Sequence, residues 1–232
     1  MLGFLRSTIL SKIVMAVSGA ALVGFLIAHL TGNLLVFAGP EKINAYGQGL
    51  RDLGPLLWVL RIGLLVAVAL HIISSIFLAD KNRTARPVSY SKKKSIQSTI
   101  ASRTMLFSGI TILTFVAYHL LHYTYGIVQP EFYHGEYMLH DGRTVHDIYS
   151  MMIHGFTNPF ITVSYVLAVT FVCMHLNHAI ASAFQTLGFN HPKYNAKIKM
   201  FGVGLSAILW VGYLSIPAGI MAGVVKLIEG AH

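Results

Sequence analysis

Charged residues along the chain fall in clusters, and the apolar stretches between them are long. Lys12 to Glu41 encloses 28 uncharged residues, Arg61 to Asp80 18, Arg103 to Glu131 27, Asp147 to Lys193 45, and Lys199 to Lys226 26. A spanning helix needs about 20 predominantly apolar residues to cross roughly 30 Å of hydrocarbon. A barrel strand would alternate apolar with polar residues, and these stretches do not. The pattern predicts five helices at about 12–37, 54–79, 103–126, 158–186 and 199–227. The stretch after Asp147 is too long for one helix, and Asn158-Pro159 breaks it, because a residue before proline is pushed out of the helical region. The part before the break, about 145–156, mixes His146, Asp147 and His154 with apolar residues. It reads as a short amphipathic helix lying at the interface. The fold class expected is therefore an all-α integral membrane protein, residues 1–232 forming one membrane domain of five helices plus the interfacial one. The first apolar stretch is too long for the core of a cleaved signal peptide, and no Ala-x-Ala site follows it cleanly.

Composition agrees: 55% of residues are hydrophobic and 11% charged, where an average soluble domain has roughly 25% charged. That excludes an ordinary soluble globule and also disorder, which needs the opposite balance. The single cysteine, Cys173, excludes a disulfide framework, a cysteine-ligated iron–sulfur cluster, a zinc ribbon and covalent haem attachment. The net charge of +9 sits with too apolar a chain for a nucleic-acid domain; cytoplasmic loops explain it better. With the N-terminus inside, twelve Lys and Arg residues fall on inner segments, including the belt from Lys81 to Lys94. Four, Lys42, Arg51, Arg143 and Lys226, fall on outer ones. The positive-inside rule then places the N-terminus in the cytoplasm.

Twelve histidines against eight carboxylates is an unusual ratio. Six, His29, His71, His119, His122, His175 and His178, fall inside the predicted spans. Ionisable residues at membrane depth are rare and usually have a function, although a single one is as easily explained as a polar group satisfied by a neighbouring helix. Depth separates them. At 1.5 Å per residue, His29 and His119 lie roughly 25 and 24 Å from the inner ends of their spans, and His71 and His175 roughly 12 and 14 Å. Two imidazoles at one depth, twice, is the pattern for two six-coordinate haems. A zinc or copper site would gather three or four ligands at one level, and a proton relay would scatter carboxylates among the histidines. His122 and His178, three residues beyond their neighbours, match the levels less well. They suit propionate or hydrogen-bonding positions around a haem. Gly19, Gly24, Gly32 and Gly63 would let a flat macrocycle approach the backbone, or serve ordinary helix packing.

Several stretches carry a resemblance. They are His29-Leu-Thr-Gly-Asn-Leu-Leu-Val-Phe-Ala-Gly-Pro-Glu-Lys-Ile-Asn-Ala-Tyr46, His71-Ile-Ile-Ser-Ser followed by Asn82-Arg-Thr-Ala-Arg-Pro87, Tyr118-His-Leu-Leu-His122, the segment Val145 to Pro159, and His175-Leu-Asn-His-Ala-Ile-Ala-Ser-Ala-Phe-Gln-Thr-Leu-Gly188. Together, in this order, they resemble the cytochrome b subunit of the succinate dehydrogenase/fumarate reductase family, in the five-helix, two-haem form found in bacteria. The resemblance implies two haem b groups with His29, His71, His119 and His175 as axial ligands, paired His29/His119 at the outer level and His71/His175 at the inner. It also implies two soluble partners on the cytoplasmic side, an FAD-carrying flavoprotein that oxidises succinate and an iron–sulfur subunit. The location implied is the bacterial cytoplasmic membrane. A fumarate-reducing relative carries a proton-moving glutamate two residues before the fourth ligand; Cys173 stands there in this chain.

In such a protein this chain would carry electrons outward through the two haems to a quinone such as menaquinone, and the dicarboxylate chemistry would belong to the partner. Among polar residues near the outer ends, Asn33 and His122 are the first candidates for quinone contact, with Glu41 and Asp147 as proton carriers. Ser11, Lys12 and His178 are candidates near the inner propionates by depth. Competing readings are the cytochrome b subunit of a hydrogenase or formate dehydrogenase, and a haem-free membrane anchor or transporter.

Overall fold

The computed structural model describes residues 7–85 and 104–228. Arg6, Arg86, Lys92, Lys93, Lys94 and Arg103, half of the predicted inner basic set, lie outside them, as does the predicted start of the third span. Among the described residues, five helices are long and apolar enough to cross a membrane. They are α1 (Thr8–Asn33), α3 (Pro55–Thr84), α4 (Met105–His119, continued by a π turn at Leu120–Thr124), α6 (Pro159–Thr186) and α7 (Pro192–Met221). Two shorter helices, α2 (Pro40–Asp52) and α5 (Ile148–Thr157), and a hairpin of β1 (Glu136–Met138) and β2 (Thr144–His146) complete the fold. The architecture is an all-α membrane bundle.

The helix ends differ from the charge-gap expectation for local reasons. Ser7 caps α1 by accepting from the Leu10 amide, so the helix begins before Lys12. α3 runs on past Asp80 to Thr84, carrying Lys81 and Arg83 in its last turn, where cations suit the helix dipole. α7 starts at Pro192, behind the His191 cap, and so takes Lys193, Lys197 and Lys199 into its first turns. It stops at Met221, where Gly223 at φ 71° allows Gly223 and Val224 to return their amides to Ile220 and Gly219, a Schellman ending. Two helices begin within a residue of where the sequence indicated: α3 at Pro55, and α6, where Asn158 accepts from the amides of Phe160 and Ile161 and Pro159 is the first helical residue.

The expected interfacial helix at 145–156 is α5, three residues later. Val145 and His146 belong to β2, because Asp147 caps α5 by accepting from the Ser150 amide. Two elements were not expected. The short helix α2 lies beyond the end of α1, and the β1–β2 hairpin pairs Tyr137 with Val145 around a turn that uses Gly142 at φ 84°. We refer to this end of the bundle as the hairpin end. The opposite end, which holds Lys12, Lys81, Arg83, Lys193, Lys197 and Lys199, is the basic end.

Four helices pack side by side in the order α3, α1, α6, α4, and α7 packs on α6 and α1. The diagonals, α1 across to α4 and α3 across to α6, have no close backbone packing. Buried apolar side chains gather at two places. One cluster at the hairpin end joins Val36, Ile43, Phe156, Tyr165, Ile216 and Ile220. The other, in mid-bundle, joins Leu30, Cys173, Leu176, Ile180 and Leu209. The remaining large apolar residues, such as Trp58, Leu65, Ile110 and Phe160, face outward, as helices in lipid require.

Candidate functional site: two histidine pairs across the bundle

The two open diagonals are the ones that histidines bridge. His29 of α1 faces His119 of α4 with ring centroids 5.8 Å apart. His71 of α3 faces His175 of α6 at 6.4 Å. A metal–imidazole bond is about 2.0 Å, so an iron held between two imidazole nitrogens would set the ring centroids about 6 Å apart. His71 packs on α1 between Met15 and Ser18, so the two pairs are separated by about 11 to 14 residues of α1, roughly 16 to 21 Å.

The remaining ring nitrogens are tied down. His71 Nδ1 lies 3.2 Å from the Met15 carbonyl and 3.5 Å from the Ser18 hydroxyl. His175 Nδ1 lies 3.0 Å from the Ser108 hydroxyl, which itself donates to the Met105 carbonyl. His119 Nδ1 lies 3.3 Å from the Tyr165 hydroxyl. An Nδ1–H directed at a protein acceptor fixes the tautomer that leaves Nε2 free to bind metal. His29 is oriented by stacking on Phe25, centroids 5.2 Å apart and planes 19° from parallel. Tyr213 flanks it at 6.3 Å and is anchored by its hydroxyl on the Leu26 carbonyl. The donor set fits a haem: two opposed imidazoles at each of two levels, each spanning a diagonal that the helix backbones leave open. Among the described residues no three His, Cys, Asp or Glu side chains gather as a metal-ion site.

Two glycines sit against histidine rings. A Cβ on Gly19 would meet the His71 ring at 3.2 Å, and one on Gly109 would meet the His175 ring at 3.8 Å. Gly32 lies under the Tyr46 ring, while Gly24 and Gly63 face open space.

His122 and His178 do not face another histidine across the bundle. His122 is buried and stacked on Tyr123 at 3.9 Å. Its Nδ1 lies 2.9 Å from the Tyr165 hydroxyl and its Nε2 2.9 Å from Gln129 Oε1. Toward the basic end, Ser11 is fully buried beside exposed Lys12. His178 is half-buried one turn beyond His175.

The four quinone candidates do not converge either. A cavity of about 190 Å³ opens beside His29, lined among others by Asn33, Tyr46, Leu50 and Ile148. Of the four candidates, only Asn33 lines it; its Nδ2 donates to the His29 carbonyl at 2.7 Å. Glu41 accepts from the His140 amide and lies 3.8 Å from the His140 ring, clamping the hairpin turn to α2. Asp147 caps α5 and accepts from Asn44 Nδ2 at 3.0 Å. Both carboxylates are therefore engaged in holding the hairpin end together.

The residues the sequence reading missed are the partners of the ligand candidates: Phe25, Ser108, Tyr165 and Tyr213. Phe25 lies one turn before His29 on the same helix, a spacing the sequence carries; the other three each lie on a different helix from the histidine they serve, and nothing in the chain order marks them. No family model, no curated protein and no solved structure matches this chain.

Proposed function

We propose that this chain is the dihaem cytochrome b membrane-anchor subunit of a bacterial succinate:quinone oxidoreductase, of the succinate dehydrogenase/fumarate reductase family. The observation that carries the reading is the pair of diagonals: His29 opposite His119 and His71 opposite His175, with three of the four rings anchored at Nδ1. Haem iron supplies one-electron chemistry when bound. This chain's residues then have three tasks. The four histidines bind and orient. Ser108, Tyr165 and the Met15 carbonyl hold the Nδ1 protons and so raise ligand basicity. The apolar bundle excludes water from both levels.

The basic end suits an acidic iron–sulfur partner, itself docked to the flavoprotein that carries FAD, on the cytoplasmic side. Electrons would enter at the His71/His175 level and leave at the His29/His119 level. The cavity beside His29 suits a quinone head: Leu50 and Ile148 give apolar walls, and the Asn33 amide and the Tyr46 hydroxyl are donors for carbonyl oxygens. The site belongs in the bacterial cytoplasmic membrane with menaquinone as the acceptor.

A reduced-minus-oxidised absorption spectrum of the purified chain tests the reading. Two b-type α-band components, resolved by potential, are expected. A flat difference spectrum would leave a haem-free anchor or transporter. Two haems together with failure to bind any succinate-oxidising flavoprotein would point to a hydrogenase or formate dehydrogenase subunit.

A further inference from the structure

One hydrogen-bond chain leads away from the outer histidine pair toward the loop beyond α4. Its members are His119, Tyr165, His122 and Gln129, linked at 3.3, 2.9 and 2.9 Å. We propose that Tyr165 is a positioning residue whose hydroxyl couples His119 to His122 and Gln129 and thereby sets the redox potential at the outer level. The inference rests on His119 being an iron ligand.

The directions of the bonds follow from that premise. With Nε2 on iron, His119 carries its proton on Nδ1 and must donate, so the Tyr165 oxygen accepts. The phenolic hydrogen is then free to donate to His122 Nδ1. That leaves the proton of His122 on Nε2, where Gln129 Oε1 accepts it. One assignment of protons satisfies every link, with no donor facing a donor. At the inner level, by contrast, Ser108 passes its own hydrogen to the Met105 carbonyl of the same helix and the chain ends there.

The Tyr165 hydroxyl is held where the chain needs it. The residue is buried, and four aromatic rings meet its own edge-on or tilted: Phe115 and Phe156 at 5.1 Å, Tyr118 and Tyr123 at 5.8 Å. His122 sits in the middle of the π turn Leu120–Thr124, a rare helix form found frequently at functional sites. The Gly155 position is also committed, since a side chain there would strike Tyr123 and crowd His122. Hydrogen bonds in a row polarise one another in low-dielectric surroundings. The acceptor strength of the Tyr165 oxygen, and hence the basicity of His119 toward iron, therefore depends on Gln129 two links away. Gln129 itself lies in the loop after the span and touches neither iron ligand.

The test is potentiometric, on the purified haem-loaded protein. The outer component is identified as the one absent from H29A. Y165F removes the acceptor of the His119 proton and is expected to raise the outer midpoint potential while leaving the inner one in place. Q129L weakens the far end and is expected to raise the outer potential by less. In the Y165F background, Q129L is expected to add no shift, because the link is cut. A repacking effect of Tyr165 alone would not produce that loss of coupling. An unchanged outer potential in Y165F, or an equal Q129L shift in both backgrounds, overturns the inference. If Y165F fails to retain the outer haem, Q129L alone decides, and an absent shift overturns it. Absence of any haem from the wild-type protein would overturn the proposed function instead.

Discussion

Two histidines on α4, three residues apart, meet different fates. His119 points across the bundle at His29, and His122 points sideways at Tyr165 and Gln129. The same division holds on α6, where His175 faces His71 and His178 faces no histidine. Ligation is therefore expected to follow the facing pairs. H71A or H175A should remove the inner α-band component, and H29A or H119A the outer. H122A and H178A should retain both haems, as counted by haem-to-protein ratio. Haem loss in H122A with retention in H119A would reverse the assignment on α4. Cys173 is buried among Leu30, Leu176 and Leu209, surroundings that give it the role of a small apolar side chain.

At the scale of elements, one buried amide ties α2 to α5. Asn44 is fully buried on α2. Its Oδ1 accepts from the amides of Ile148 and Tyr149, and its Nδ2 donates to Asp147. Asn44→Ala leaves two amides and the buried Asp147 carboxylate short of partners, a cost of about 1–3 kcal/mol. Because the loss is local, the expected readout is faster amide exchange at residues 148–150, with the five long helices unchanged. A second prediction concerns acidity. His146 on β2 has its pKa held below the ordinary imidazole value, first by burial and then by the nearby Arg51 and His134 charges, against the opposing pull of Asp147. The unfolded hairpin therefore binds a proton near pH 6.5 that the folded one resists. Its stability is whole above that value and falls as pH drops through it. The Asp141 carboxyl is held low by its hydrogen bonds to Arg143, so its contribution is lost only below the usual carboxylate range. Amide exchange in β1 and β2 should thus quicken as pH falls below about 6.5, and H146Q should abolish the change. A pH-independent exchange rate in the wild type would refute it.

For the whole molecule, the proposed function has a consequence in the membrane. Under that proposal succinate would be oxidised at the cytoplasmic face, and the quinone would take the cavity at the hairpin end beside His29. Moving one charge across the membrane is worth about 2.3 kcal/mol per 100 mV. Electrons leaving a negative interior move downhill, so the membrane potential would assist succinate oxidation by a low-potential quinone such as menaquinone. On the same proposal, Cys173 would stand where a fumarate-reducing relative carries a proton-moving glutamate, and no proton would return in parallel there. An uncoupler is expected to slow succinate oxidation by menaquinone in intact cells and to leave detergent extracts unaffected. Equal rates in cells with and without uncoupler would place the quinone site at the basic end or reveal a proton path.

The five long helices were legible from charge spacing alone, because lipid penalises an unpaired charge so strongly that gaps between charges mark spans. The two histidine levels were legible for a related reason: helical rise converts sequence distance into depth. Helix ends were not, since caps such as Ser7 and His191 and the turn at Gly223 act within a few residues and do not depend on hydropathy. α2 was readable but overlooked: Gly39-Pro40 starts it, and Ile43, Gly47 and Leu50 recur at helical spacing on the side that meets α5 and the cavity. What only the tertiary structure decided is which side chain serves which histidine. Ser108, Tyr165 and Tyr213 reach their partners from other helices, 67, 46 and 184 positions away. Depth along each helix is a one-dimensional quantity that sequence carries. Rotation about each helix axis, which brings these groups face to face, is fixed by how all the helices pack together.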